Sequence, residues 1–214
     1  MQSDEYYIHR RGLLLVLSSP SGAGKTTIAK ALLKSEPQLD ISISVTTRTP
    51  RPGEKDGQDY FFVNGDQFQN MLEKEEFLEH AKVFGNYYGT PKQHVFQALK
   101  EGKDIIFDID WQGTQQLALY ARDDLVSVFI LPPSAKALAE RLQKRGQDTD
   151  DVMSYRMEQA ANEMSHWAEY DYVIINKDLE ASIQQVQKIL HSERIKRTRQ
   201  LGLVDFVNEL RQEF

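Results

Sequence analysis

Nine consecutive residues, Ser19, Pro20, Ser21, Gly22, Ala23, Gly24, Lys25, Thr26 and Thr27, have the types and spacing of a phosphate-binding loop, G-x-x-x-x-G-K-[ST]. Each part has a physical task. Gly22 and Gly24 let backbone N–H groups turn inward, Lys25 reaches the terminal phosphates of a nucleoside triphosphate, and the Thr26 hydroxyl is placed for Mg²⁺. Ser19 stands where the pattern has its first glycine, so that turn has to be made with a side chain present. A second run, residues 46–54 (TTRTPRPGE), sets Arg48 and Arg51 three apart in a loop punctuated by Pro and Gly. Two guanidinium forks at that spacing suit a dianionic phosphate, although alone they also fit solvent-exposed loop arginines.

The elements that must position these residues are legible from apolar patterning. Residues 13–17 are wholly aliphatic, which predicts a strand buried on both faces of a parallel sheet. A helix is expected from Ile28, preceded by the loop, so strand, glycine-rich turn and helix follow one another and the helix N-terminus adds positive potential to the loop. Further strands are expected at 105–107, 126–131 and 173–175, with helices at about 112–121, 134–144 and 179–196, the last capped by Asp178. This alternation predicts an α/β fold, a parallel sheet flanked by helices. Two segments break it. Residues 41–96 are rich in Thr, Tyr, Phe, Asn and Gly and read as a mixed α/β insertion with a helix near 66–75. Residues 136–166 are helical and dense in Arg, with a break at Gly146. The expected division is a core of 11–40, 97–135 and 167–214, interrupted by these two insertions.

Bulk properties exclude other chemistries. With no Cys there is no disulfide framework, thiolate nucleophile or Cys-ligated metal. The five His residues lack metal-ligand spacing. Apolar residues at 40% supply a core, while 26 Lys and Arg against 32 Asp and Glu leave a charge of −6, which argues against a general nucleic-acid binder. No apolar run approaches the roughly 20 residues of a membrane span. The first dozen residues are too acidic for a secretory signal, so a cytoplasmic location is expected. At the C-terminal end, Leu203, Phe206, Val207 and Leu210 form a helical apolar stripe that needs a partner, either the core or a second copy of the chain.

Five ordered motifs behind the phosphate loop carry a more specific signal: residues 46–54 (TTRTPRPGE), 59–63 (DYFFV), 77–81 (FLEHA), 85–90 (GNYYGT) and 108–113 (DIDWQG). In this order they resemble the guanylate kinase family over roughly residues 13–180. The resemblance implies ATP and GMP as substrates, Mg²⁺ as cofactor, and transfer of the ATP γ-phosphoryl to GMP. It makes 41–96 a GMP-binding domain and 136–166 a lid. It also implies that Arg48, Arg51, Tyr60 and Tyr88 hold the GMP phosphate, with Glu54 in the same loop. Glu79 and Asp110 would take the guanine edge, with Ser44 and Thr90 near its carbonyl. Lys25, Arg48, Arg141, Arg145 and Arg156 would act on the transferring phosphoryl group, and Asn176 would border the adenine. Asp108 ends a strand similar to a Walker B segment; orienting Mg²⁺ and capping the next turn both stay open for it.

The chemistry of the base agrees with this. Guanine offers N1–H and N2–H₂ donors to carboxylates, whereas adenine would leave a buried carboxylate unpaired. Three other readings remain: a guanylate-kinase-like module that binds phosphopeptides, against which the intact Gly22, Gly24, Lys25 and Thr26 argue; a related kinase with another acceptor, against which Glu79 and Asp110 argue; and a P-loop signalling GTPase, against which the lack of an N-K-x-D motif argues, since Asn176, Lys177 and Asp178 do not have its spacing.

Overall fold

The computed structural model describes residues 9–83, 85–143 and 150–214, with the side chains of 150–154 left aside. Five parallel strands make the main sheet: β1 (Leu14–Ser18), β2 (Leu39–Ile41), β7 (Asp104–Asp108), β8 (Leu125–Leu131) and β9 (Tyr172–Ile175), in the spatial order β2-β7-β1-β8-β9. The central strand is buried on both faces, as its aliphatic run predicts. Leu13, Leu15 and Leu17 point into one apolar cluster with Ile28 and Leu32 of α1 (Lys25–Ser35) and Val186 and Leu190 of α7 (Leu179–Arg194). Leu14 and Val16 point into the other, with Val95 and Leu99 of α3 (Lys92–Lys100) and Leu117 of α4 (Trp111–Ala121). Period-two alternation on one strand thus serves two helical layers.

The second sheet has four strands in the order β4-β3-β6-β5: β3 (Val45–Thr46), β4 (Phe61–Phe62), β5 (Phe77–Val83) and β6 (Asn86–Pro91). Its small core joins Val45, Phe77 and Phe68 of α2 (Gly65–Glu73). The Phe68 and Phe77 rings stack at 4.6 Å. Asn64 starts α2 with a reciprocal capping box, Gln67 N–H to Asn64 Oδ1 at 2.8 Å and Asn64 N–H to Gln67 Oε1 at 2.9 Å. Two elements escape the sequence patterning. β2 has three residues of which only Leu39 is buried, too short for periodicity to register. α3 buries only Val95 and Leu99, which join the main core, while its His94 ring stacks at 5.3 Å on Phe61 of the second sheet.

Beyond β8, α5 (Ala135–Gln143) and α6 (Asp150–Met164) meet through Leu138, Leu142, Ala160 and Met157. Arg145 and the Gly146 break lie outside the described residues. α7 starts at the expected cap, Ala181 N–H donating to Asp178 Oδ1 at 2.8 Å. The C-terminal helix α8 (Leu203–Gln212) buries none of its residues, and Val204, Val207 and Leu210 are exposed. Among the described residues, no helix is long and apolar enough to cross a membrane.

Candidate active site

The loop between β1 and α1 takes the conformation its glycines predict. Gly22 and Gly24 have φ of 90° and 107°, in the left-handed region that side chains avoid. Gly24 also begins α1, and a Cβ there would lie 2.6 Å from Asn176 Nδ2. Ser19 is no obstacle: Glu75 is the only non-glycine with positive φ among the described residues, so this first position needs no glycine. The loop surrounds a cavity of about 240 Å³ lined by residues 19–22 and 24–26 together with Asp108, Asp110 and Glu163.

Within this cavity a cation, a hydroxyl and a carboxylate converge. Lys25 Nζ lies 3.0 Å from Asp108 Oδ1 and donates to the Ile109 carbonyl at 3.0 Å. Thr26 Oγ1 donates to Asp108 Oδ2 at 2.8 Å. Asp108 thus spans the two loop residues that the sequence assigned to phosphate and metal. Beneath the 108–110 turn, Ser18 Oγ donates to the Ile109 carbonyl at 2.9 Å, and Thr114 Oγ1 donates to the Asp110 carbonyl at 2.8 Å. Asp110 itself caps α4, its Oδ1 accepting from Gly113 N–H at 3.0 Å.

The loop is pinned from behind by groups distant in sequence. Asn176, buried, donates Nδ2–H to the Ala23 carbonyl at 2.8 Å, and Ser182 donates to its Oδ1 at 3.1 Å. Arg141 donates to the Ala23 and Asn176 carbonyls at 3.2 and 3.1 Å. Both side chains therefore sit at the loop's outer wall in this structure. Arg156 is half-buried on α6 and has partners of its own. Glu163 was not singled out by the sequence, yet its Oε2 accepts from the Ser21 N–H at 3.0 Å. Burial raises its carboxyl above the ordinary range, with the Ser21 bond and Lys25 opposing.

The second sheet carries a cationic and aromatic cluster. Arg48 Nη2 donates to both Glu54 oxygens, at 2.8 and 3.0 Å, and Glu54 also accepts the Arg51 N–H at 2.7 Å. The Arg48 guanidinium and then the Arg51 N–H hold the Glu54 carboxyl below the usual range. Glu54 and then Tyr88 keep Arg48 firmly protonated. Its guanidinium lies over the Tyr60 ring at 5.4 Å, and Tyr60 meets Tyr88 edge-on at 6.0 Å. Arg48, Glu54, Tyr60 and Tyr88 thus come together, while the Arg51 side chain is exposed.

Glu79 on β5 is 7% exposed and accepts the Thr90 hydroxyl at 2.7 Å. Burial raises its carboxyl; the Thr90 bond opposes this and the Asp110 charge adds to it. A carboxylate on the second sheet and one at the start of α4 therefore influence one another. Ser44 lies between the sheets, its carbonyl accepting the Phe61 N–H at 2.9 Å.

A phosphate-binding loop at the C-terminal end of the central strand of a parallel sheet, together with a second sheet that carries an Arg–Tyr cluster and a buried carboxylate, defines a P-loop nucleotide kinase. Residues 11–193 match the family model described as guanylate kinase, and the chain belongs to the guanylate kinase family. It is 60% identical over 204 residues to the guanylate kinase of Paramagnetospirillum magneticum, covering 95% of each chain. It is 57% identical over 204 residues to that of Rhodospirillum rubrum, covering 95% of this chain and 94% of the other. The crystal structure of guanylate kinase from Anaplasma phagocytophilum superposes with a TM-score of 0.72 at 39% identity, covering 93% of this chain and 95% of that one.

Proposed function

We propose that the chain carries out its family's reaction, ATP plus GMP to ADP plus GDP, through the residues gathered at these two sheets. Family membership supports the reaction. The observation that carries the site assignment is the convergence of Lys25, Thr26 and Asp108 on the phosphate cavity. The nucleophile is a GMP phosphate oxygen, already ionised near neutral pH because its second pKa is about 6, so no general base is needed. Catalysis is then alignment and charge neutralisation. The transfer is reversible, since the phosphoanhydride bond broken in ATP is replaced by a phosphoanhydride bond of similar energy in GDP.

In this reading the 19–27 loop and Lys25 hold the ATP phosphates. Arg48, placed by Glu54, acts with Arg51, Tyr60 and Tyr88 on the GMP phosphate. Glu79 and Asp110, with Ser44 and Thr90, take the guanine. Arg141, Arg145 and Arg156 serve the phosphates from the 136–166 lid, and Asn176 borders the nucleoside from behind the loop. Residues 41–96 act as the GMP-binding domain on the remaining core.

Thr26 and Asp108 fit Mg²⁺: they are neighbouring hard oxygen donors beside the cavity, 2.8 Å apart. Among the described residues no cluster of three or more His, Cys, Asp or Glu could hold a metal. That suits a cation bound by one or two protein groups and mainly by substrate phosphates. When bound, Mg²⁺ would neutralise charge on the phosphoryl oxygens.

An acceptor panel tests the assignment. GMP should turn over far faster than AMP, UMP or dTMP in a coupled assay with ATP; equal turnover with a base other than guanine would overturn it. We also propose that α8 meets a second copy of the chain, supported by its exposed Val204, Val207 and Leu210. Light scattering should give a multiple of the 24.7 kDa chain, and the chain mass for Val207→Glu with Leu210→Glu. A wild-type protein at the chain mass would sink this.

A further inference from the structure

Between the two carboxylates assigned to guanine lies a contact that the reaction itself does not require. β5 is an edge strand of the second sheet, so the outward main-chain groups of His80 have no strand to pair with. Gln116 of α4 takes their place. His80 N–H donates to Gln116 Oε1 at 2.9 Å, and Gln116 Nε2 donates to the His80 carbonyl at 3.1 Å. One side-chain amide thereby imitates a neighbouring strand, satisfying both the donor and the acceptor of a single residue.

Its location gives the contact a consequence. His80 directly follows Glu79, whose side chain is already held by the Thr90 hydroxyl. Gln116 lies on the helix that Asp110 caps. The amide therefore ties the backbone carrying one carboxylate, an edge strand of the second sheet, to the helix begun by the other. Such a tie matters because two acceptors must meet N1–H and N2–H₂ of one rigid ring, and recognition geometry tolerates only about half an ångström of error.

We propose that Gln116 is a specificity-determining positioning residue, whose amide clamps β5 to α4 and holds Glu79 and Asp110 at the separation a 2-aminopurine edge requires. This rests on the reading of Glu79 and Asp110 as the guanine-binding pair, and the test separates the two.

GMP and IMP, which differ only by the 2-amino group, are compared as acceptors for wild type, Gln116→Met, Gln116→Ala, Glu79→Gln and Gln115→Ala. Gln115 is the adjacent α4 residue and bonds instead to Glu169, at 2.8 Å. Gln116→Met keeps side-chain length but not the bonds. Both Gln116 variants should raise the KM for GMP about tenfold, equivalent to about 1.4 kcal/mol of lost binding, and narrow the GMP-over-IMP preference. The KM for ATP and kcat at saturating GMP should stay within about twofold. Gln115→Ala should behave as wild type.

If Glu79→Gln narrows the preference but Gln116→Met does not, the clamp is overturned and the base assignment stands. If Glu79→Gln leaves the preference intact, the base assignment falls and the clamp with it. A uniform loss in both Gln116 variants, with the KM for ATP rising and kcat falling together with thermal stability, would assign Gln116 to folding alone and also overturn the proposal.

Discussion

Burial lifts the Glu79 carboxyl above the ordinary glutamate range; the Thr90 hydroxyl opposes this and Asp110 reinforces it. A raised value means that protonation begins at a higher pH than the ordinary value of about 4.3. In the proposed site, guanine needs the ionised form as acceptor. The KM for GMP should therefore climb as pH falls, starting above the ordinary carboxylate range, while kcat at saturating GMP changes less. Glu79→Gln should flatten that profile. Stability follows the opposite demand. Between the ordinary and the raised value the native state holds more protons than the unfolded chain, so stability declines as pH rises through that window. Glu79→Gln should consequently raise the Tm at neutral pH while weakening GMP binding, the trade between stability and function expected at a binding site. A drop in Tm would show the carboxylate to be structural.

At the scale of elements, the phosphate loop joins β1 to α1 through two left-handed glycines, and Asn176 closes on it from behind. Gly24→Ala would place a methyl group 2.6 Å from Asn176 Nδ2 at a φ of 107°. Strain of that kind costs about 1–3 kcal/mol, or about tenfold or more in ATP affinity if it is relieved by moving the loop. Titration calorimetry should show ATP binding weakened and GMP binding kept, since the Arg48 cluster and Glu79 lie on the second sheet. Gly65→Ala, where the new methyl meets nothing within 4 Å and φ is ordinary, should change neither. Equal loss of both ligands in Gly24→Ala would mean that the loop shapes the whole cleft.

For the molecule as a whole, the end of the main sheet opposite the phosphate loop is held by buried charge. Asp104 starts β7, which Asp108 ends at the cavity. Fully buried, it accepts from Arg10 at 2.7 and 3.0 Å, from Arg194 Nε at 2.7 Å and from Leu13 N–H at 3.0 Å. Arg194 reaches on to Glu36 at 2.8 Å. This network ties the segment before β1, the sheet and the end of α7 together. Removing the buried carboxylate strands two half-buried arginines, at about 3–5 kcal/mol. At about 2–4 °C per kcal/mol for a chain of this size, Asp104→Ala should lower the Tm by roughly 10 °C. KM for ATP and GMP, measured well below the transition, should stay unchanged. A shift in either KM would show the network to be coupled to the site.

What the sequence determined by itself is whatever is encoded contiguously. The phosphate loop was legible because glycine spacing and a following helix specify its conformation within nine residues, and β1 because an aliphatic run has few other uses. The Arg48–Glu54 pair and the Asp178 cap are local in the same sense. Tertiary structure alone decided the convergences. Glu163 meets Ser21 across 142 positions, Asn176 meets Ala23 across 153, and Gln116 meets His80 across 36. None of these has a local signature, because a Gln or Glu on a helix surface is by default a solvated side chain. Only the packing of α4 against β5, and of α6 beside the loop, turns those residues toward the site.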